Sequence, residues 1–427
     1  MRVLVIGGGA REHALASRLA ADRDVTHLCS APGNPGISRI AQTFPCDVSD
    51  PDAVFGLADR ERIDLTVVGP ELPLSAGVAD RFAAGGRLLF GPTAAAARLE
   101  TSKAFAKAFM ARHGVPTARF RACDSAGAAL GVVRSGDLGW PVVLKADGLA
   151  AGKGVVIAEE LGSAEAAVTA AMTEHRFGAA GERLVIEECL SGPEVSFFAV
   201  TDGIRALPIG SAQDHKRIFD DDRGPNTGGM GAFAPSPLVD SALADRVMRE
   251  VVDPVMGGMA AEGHPFRGFL YVGLMLTASG PRVIEFNARL GDPEAQVILP
   301  LIDEPLLPLL VAGAAGTLRR STVRSGSDRL VGVVLASRGY PESSSAGQPI
   351  AGVEAAEAVP GVTVYHAGTA RRDGQLVTAG GRVFTVVGRG GRYADAIGRA
   401  YAAVAKIAFD GMQYRRDIGR KALVREV

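Results

Sequence analysis

The stretch "VVLKADGLAAGKGV" (142–155) carries two lysines and three glycines directly behind an apolar run. Lys145 closes an expected strand, so its ammonium is a rigidly placed charge for an anionic oxygen. Gly148, Gly152 and Gly154 give a backbone able to lay N–H groups around phosphates, with Lys153 riding on it. The spacing is not that of a P-loop, which needs four residues between its first Gly and the Gly-Lys pair, then Ser or Thr. Here three residues separate Gly148 from Gly152, and Gly154 stands where the hydroxyl belongs. A Gly-rich hairpin with two solvated lysines is the plainer alternative.

Three further constellations contain chemistry. In "VIEECLSGPE" (185–194), Glu187, Glu188 and Glu194 can accept hydrogen bonds from an adenine amine and ribose hydroxyls, although a surface acid cluster explains them as well. In "VIEFNARLGDPE" (283–294), Glu285 and Asn287 are two apart on an expected strand and share a face. Their hard oxygens suit Mg²⁺, which keeps waters and takes its other ligands from phosphates; a buried salt bridge is the competing explanation. Arg289 and Asp292 follow in the loop. "SAQDHKRIFDDDRGPNTGGMG" (211–231) gathers Asp214, His215, Lys216 and Arg217, then a glycine-rich turn; it reads as a shaped loop or a solvated one. At the N-terminus, "GGGAREH" fails the dinucleotide fingerprint because Glu12 occupies the third glycine position. Strand, glycine turn and helix still offer a phosphate site through N–H groups and the helix dipole, with Arg11 and His13 beside it.

These residues need elements to hold them. The first hundred positions alternate apolar runs ("RVLVIG", "VTHLCS", "IDLTVVG", "RLLFG") with helical or loop segments, the mark of a parallel α/β sheet. Its loops "GGGAREH", "APGNPG", "GPELP" and "GPTAA" fall beyond the strands' carboxyl ends, where such sheets bind ligands. Ser102 is placed to cap a helix bearing Lys103, which Gly114 and Pro116 end. Strands "WPVVLKA", "GVVIAE", "RLVIEECL" and "VSFFAVTD" follow, then a polar loop over 211–237. "GFLYVGLMLT" and "RVIEFN" read as a pair turned at Ser279-Gly280-Pro281. "RSGSD" (324–328) reads as a linker before strands "LVGVVLAS", "VTVYHAG" and "GRVFTVVGRG" and the helix "YADAIGRAYAAVAKI".

At 427 residues with 47% hydrophobic content, the chain is long enough for two to four domains. A formal net charge of -1 argues against a general nucleic-acid binder. Cysteines 29, 46, 123 and 189 form no CxxC pair, as in a reduced compartment without a zinc site. The expected strand at residue 3 leaves no space for a signal peptide, and "PLLPLLVAGAAGTL" (305–318) is too short to span a bilayer. A soluble cytoplasmic protein without membrane partners is expected.

Taken in order, "GGGAREHAL", "APGNPG", "LTVVGPELPL", "FGPTAAAARLETSKAFAK", "VVLKADGLAAGKGV", "VIEECLSGPEVSF", "QDHKRIFDDDRGPNTGGMGAF", "VIEFNARLGDPE" and "YRRDIG" resemble the phosphoribosylamine–glycine ligase (glycinamide ribonucleotide synthetase) family over residues 1 to about 420. The resemblance implies an ATP-grasp fold of class α/β. Its parts would be an N-terminal parallel α/β domain at 1–101, an ATP-grasp domain at 102–323 with a lid about 118–192, and a C-terminal α+β domain at 328–427. The glycine loop would then be a lid over ATP, so P-loop spacing is not required.

The activity implied is ADP-forming ligation of glycine to 5-phosphoribosylamine in purine biosynthesis, with ATP and Mg²⁺ or Mn²⁺ as cofactors. By the same resemblance, Lys103, Lys145, Gly152, Lys153 and Gly154 would serve the phosphates. Glu187, Glu188 and Leu190 would frame the adenine, and Glu194 would hold the ribose. Glu285 and Asn287 would bind the metal. Asp214, His215, Lys216, Arg289 and Asp292 would surround glycine and the γ-phosphate. Gly9, Arg11, Glu12, Pro32, Gly33, Asn34, Gly69, Pro70, Glu71, Asn226, Thr227 and Gly228 would hold the phosphoribosylamine. Transient contact with neighbouring purine-pathway enzymes stays open.

Three departures stand out. The family usually has Asn at Gly8 and Gly at Arg338, and the strand "LYVGLML" lacks a carboxylate found in some ATP-grasp relatives. Rival readings are another carboxylate–amine ligase of this fold, a nicotinamide oxidoreductase and a non-catalytic nucleotide sensor.

Overall fold

In the computed structural model, residues 1–148 and 154–424 are described, so Gly152 and Lys153 lie outside the described residues. The run RVLVIG forms β1 (Arg2–Gly7), joined by β2 (His27–Pro32), β3 (Gln42–Thr43), β4 (Leu65–Val68) and β5 (Leu89–Phe90). All pair in parallel in the order β3-β2-β1-β4-β5. Both faces of this sheet are covered, which is why β1 and β4 are apolar almost throughout. The helices Ala94–Thr101 and Lys103–Arg112 follow, with the hydroxyls of Thr93 and Ser102 capping their first turns.

A four-stranded antiparallel sheet comes next: β6 (Phe120–Cys123), β7 (Val142–Ala146), β8 (Val155–Ala158) and β9 (Leu184–Glu188), in the order β6-β9-β7-β8. The helices Ala126–Ser135 and Leu161–Val168 close its apolar face around Val133, Leu144, Val168 and Ile186.

The large sheet is built from β10 (Glu194–Asp202), β11 (Ala206–Asp214), β14 (Gly231–Ala234), β15 (Arg267–Thr277), β16 (Gly280–Asn287), β17 (Arg329–Ala336), β18 (Val362–His366) and β21 (Arg382–Gly390). Its order is β16-β15-β10-β11-β14-β17-β21-β18. Two small hairpins project from it, β12 (Arg217–Phe219) with β13 (Arg223–Asn226) and β19 (Thr369–Arg372) with β20 (Gln375–Thr378). The segment 211–237, expected to be loop, thus contains the end of β11, a hairpin and the fully buried β14. Its residues, such as GAFA, lack a β-branched pattern; pairing of β11 with β10, and of β14 with β17, imposes the extended state. The sheet also runs straight across the expected linker, because β17 continues it from β14.

The N-terminal sheet shares its apolar layers with this large sheet. Val3 and Val5 pack in one layer with Phe198 and Val200, and Leu4 and Ile6 in the other with Phe197 and Ala199. The loops after β1 and β4 are held at the segment following β16, through Arg11 to the Leu290 carbonyl and Glu71 to Arg289, and the loop after β2 is held at His366, the last residue of β18. Among the described residues no helix is long and apolar enough to cross a membrane.

Candidate active site

Three strands at one end of the large sheet, β10, β11 and β16, bring acids to one edge of a cleft. Glu194 starts β10, Asp214 ends β11 and Glu285 lies on β16. Lys216, just past β11, sits among them, its Nζ 2.9 Å from Glu194 Oε2 and 4.0 Å from Glu285 Oε1. Burial alone would raise the Glu285 carboxyl, but Lys216, Lys145, Lys103 and Arg289 outweigh it and hold the group below the ordinary carboxylate range. Asp214 shifts the other way, through burial and the nearby charges of Glu194 and Glu285, which Lys216 only partly offsets. Across from Glu285, β15 offers Gly273, whose absent side chain leaves space: a Cβ there would lie 3.2 Å from Glu285 Cγ.

The opposite wall comes from the four-stranded sheet and its entry helix. Lys145 on β7 is buried, 3.0 Å from Glu187 Oε1 on β9, and donates to the Ile284 carbonyl at 3.1 Å. That bond sets Lys145 beside the residue preceding Glu285, so both walls face a single cleft. Lys103 donates to the Gly148 carbonyl at 3.0 Å. Asp147 docks the same helix end, accepting from the Ala104 amide at 3.1 Å and the Ser102 hydroxyl at 3.2 Å. The Glu187 carboxylate is also 2.8 Å from Lys107 Nζ, so two buried lysines occupy it and its backbone is what remains to meet a base. Strand alternation turns Glu188 outward, onto Arg119 at 2.7 Å. Leu190 follows in the partly buried loop, and Gly154 precedes β8.

A second group gathers at the loops of the N-terminal sheet. Glu12 accepts from the Gly9 amide at 2.6 Å and from Arg11 at 2.6 Å, while Arg11 reaches the Leu290 carbonyl at 3.1 Å. Glu12 fills the space beneath two loops, since a Cβ on Gly69 would meet its Oε1 at 2.2 Å. Asn34 donates to the carbonyls of Gly8 at 2.9 Å and His366 at 2.8 Å. Arg289 bonds Glu100 at 2.8 Å and Glu71 at 3.3 Å, and Pro70 starts the turn bearing Glu71. Asp292 stands 3.5 Å from Arg382, and a Cβ on Gly9 would lie 3.5 Å from its carboxylate. Arg382 also donates to the Gly228 carbonyl at 2.6 Å. Thr227 donates through its amide and hydroxyl to the Lys216 carbonyl, at 2.7 and 2.8 Å, tying the Asn226–Gly228 turn to the acid edge. Pro32 and Gly33 close β2 beside Gly8.

Like the outward-turned Glu188, His215 is an expected residue whose side chain does not join the cleft. Asp214 and Lys216 face the cleft, so alternation sends His215 to the other side, buried against Phe233. Burial, then Arg415 and Lys421, lowers it to about 3, so its ring is neutral near pH 7. Two of the three departures are explained by position. A Cβ at Gly8 would lie 2.5 Å from the Gly33 carbonyl oxygen, leaving no space for an asparagine on this backbone. Arg338 pairs with Asp410 on the surface, away from the cleft.

Sequence reasoning missed Glu100, Lys107, Asp147, Arg382 and the buried chain Ser196–Tyr271–Glu294. In that chain Ser196 Oγ is 3.1 Å from Tyr271 and 3.2 Å from Glu294, whose carboxyl burial and Asp214 push up to about 7. Only Glu294 had a signal, as the last acid of "GDPE". Among the described residues no three acidic, imidazole or thiol groups converge on a metal. The two oxygens of Glu285 and Asn287 suit a hard cation that draws its remaining ligands from phosphate and water.

Family models described as phosphoribosylglycinamide synthetase match nearly the whole chain: the N domain at 1–100, the ATP-grasp (A) domain at 101–295 and the C domain at 330–421. A Xanthomonas campestris pv. campestris protein named phosphoribosylamine–glycine ligase is 49% identical over 430 residues, covering 100% of this chain and 99% of that protein. A Neisseria meningitidis serogroup A protein of the same name is 48% identical, with 100% of both covered. The crystal structure of phosphoribosylamine–glycine ligase from Thermotoga maritima superposes with TM-score 0.84 at 33% identity, covering 98% of this chain and all of that one. A biotin carboxylase from Campylobacter jejuni shares the fold at TM-score 0.74 and 16% identity, covering 98% and 93%.

Proposed function

The chain belongs to the phosphoribosylglycinamide synthetase family, and from that premise we infer how its residues divide the work. It is an ATP-grasp ligase that joins glycine to 5-phosphoribosylamine with formation of ADP, a step of purine biosynthesis. ATP binds with a divalent metal, for which we propose Mg²⁺ or Mn²⁺ held by Glu285 and Asn287. The metal would supply charge neutralisation at the phosphates. We place the reaction in the cytoplasm, among the other enzymes of the route.

A carboxylate does not acylate an amine at neutral pH. In our reading the carboxylate oxygen of glycine attacks the γ-phosphorus of ATP, the bond to the β-bridging oxygen breaks, and ADP and glycyl phosphate form. The amine of phosphoribosylamine then attacks the glycyl carbonyl, the C–O bond to phosphate breaks, and the amine releases a proton. Lys103 and Lys145 hold phosphate oxygens from the lid side, and Lys216 and Arg289 hold the reacting carboxylate from the sheet side. This is positioning and charge stabilisation, and no side-chain nucleophile is required. Arg289 keeps its orientation because Glu100 and Glu71 grip it. The reaction requires that water be excluded from the cleft, since it would otherwise hydrolyse the acyl phosphate. The phosphoribosyl group lies against the loops at Gly9–Glu12, Pro32–Asn34 and Gly69–Glu71, with Thr227 and Gly228 opposite. Glu194 serves the ribose of ATP, and the backbone at Glu187–Leu190 serves the adenine.

The observation that carries this reading is the bond from Lys145 to the Ile284 carbonyl, which sets a lid lysine beside Glu285. Glycine labelled with ¹⁸O in its carboxylate tests it: label is expected in the released phosphate, and unlabelled phosphate would exclude the acyl phosphate. ADP release is expected to require both glycine and phosphoribosylamine.

A further inference from the structure

The motif "YRRDIG" (414–419) lies some two hundred residues from the acids it approaches, and nothing in the reaction above uses it. Its Arg415 side chain is 0% exposed, the largest of the fully buried side chains. It forks onto Asp417, Nε to Oδ1 at 2.8 Å and Nη2 to Oδ2 at 2.6 Å. Its Nη1 donates to Asp222 at 2.8 Å and to the Arg217 carbonyl at 3.1 Å.

The same terminal segment grips the rest of the β12–β13 hairpin. The Arg416 amide donates to Asp220 at 2.7 Å, Lys421 to Asp222 at 2.6 Å, and the Asp221 amide to Asp417 at 3.0 Å. Asp221 and Asp222 have φ of 59° and 52°, two consecutive left-handed residues that are not glycine. Such a pair is strained and persists when its surroundings over-determine it. Here those surroundings are the C-terminal segment.

The hairpin begins where Lys216 ends its approach to Glu194 and Glu285, and it returns into Asn226 and Thr227, whose amide and hydroxyl hold the Lys216 carbonyl. The Arg217 carbonyl bonded by Arg415 is one residue from Lys216. We propose that Arg415 is a positioning residue: from the C-terminal segment, and through Asp222 and Arg217, it fixes the hairpin that aims Lys216 and the Asn226–Gly228 turn at the reacting groups. The proposal rests on the ligase reading of the cleft. A buried guanidinium that binds in a planar fork is not replaced by an ammonium of like charge, so Arg415→Lys is a stringent probe.

The test uses full-length Arg415→Lys and Asp222→Asn, singly and combined, with exposed Arg338→Ala as a control. Thermal midpoint, kcat and KM for ATP and glycine, and amide hydrogen exchange over 216–228 are read for each. Tenfold or greater loss of kcat is expected in both single variants, with little change in the KM for ATP and with the thermal midpoint within a few degrees. The double variant should be no worse than the weaker single, and exchange over 216–228 should accelerate. Wild-type kcat in folded variants, or losses that simply add, would overturn the proposal. Should Arg415→Lys fail to fold, Asp222→Asn decides alone by the same measures. Absence of glycine-dependent ADP release in the wild type would count against the ligase reading, whereas unchanged exchange over 216–228 would count against Arg415 as the residue that fixes the hairpin.

Discussion

Glu285 is flanked by Ile284 and Phe286 on an apolar strand, yet it opens on a cleft where three lysines and an arginine hold it ionised. Glu285→Gln keeps shape and hydrogen-bonding capacity but removes the charge that a hard cation needs. We expect turnover to fall by two or more orders of magnitude at low Mg²⁺, with the thermal midpoint nearly unchanged; wild-type turnover at low Mg²⁺ would remove Glu285 from the metal. Glu285 stood out in the sequence because an acid inside an apolar run is rare without a purpose, and Asn287 because, two residues on, it shares the same strand face. Glu100, Lys107 and Arg382 were not, because their partners are distant in sequence: Glu100 reads as one more polar helix position until Arg289 is seen against it. His215 teaches the reverse lesson. Its motif drew it into the site, and strand alternation took it out. Neither ring nitrogen has a hydrogen-bond partner among the described residues, so His215→Leu loses no bond. Its proton affinity is depressed on folding, to about 3. The unfolded chain therefore takes up a proton below about pH 6.5 that the folded chain refuses, and wild-type stability falls as pH drops through that window. Between pH 6.5 and 5 the leucine variant should gain about 1.6 kcal/mol relative to wild type. Denaturant titrations at the two pH values check this, and kcat should stay within threefold.

The elements that read clearly from sequence were those whose own residues dictate them. β1 and β4 are continuous apolar runs, and the helix at Lys103 carries its serine cap. β11 and β14 were illegible, since Pro208, Gly210 and the GAFA segment have no local strand signal and are extended because of what they pair with. The junction between the Lys103–Arg112 helix and the four-stranded sheet depends on another non-local device, the buried carboxylate of Glu187 between Lys107 and Lys145. Burial, only partly offset by Glu187, lowers Lys107 to about 8. Glu187→Gln would leave two buried ammonium groups without a counter-charge. Breaking a buried pair this way costs about 3–5 kcal/mol. The variant should melt well below wild type, and Lys145 should lose its grip on phosphate, seen as a raised KM for ATP. An unchanged melting curve would mean that the triad is solvated in solution.

At the scale of the molecule, the linker-like segment 324–328 suggests a separable C-terminal unit, and the sheet argues otherwise. β17 pairs residue by residue with β14, whose four residues are all buried, and β21 and β18 extend the sheet beyond it. Removing everything after residue 327 would expose the edge of β14 as a flat, apolar row of unpaired backbone groups, the geometry that promotes association between chains. It would also strip the Gly228 carbonyl of Arg382, the β12–β13 hairpin of Arg415, and Asn34 of the His366 carbonyl. The His13 ring would lose the His366 amide that donates to its Nδ1 at 2.9 Å. Each of these contacts joins the C-terminal part of the chain to a loop, hairpin or helix beside the cleft. The fragment 1–327 should therefore be insoluble or self-associating and without glycine-dependent ADP release, even with 328–427 added in trans, because β14 would need to pair across chains before either piece has its core. Size-exclusion chromatography with turnover assays on the fragment decides it: a monodisperse monomer with a cooperative melting transition would show that the three strands beyond β14 are an appendage, and the catalytic edge complete without them.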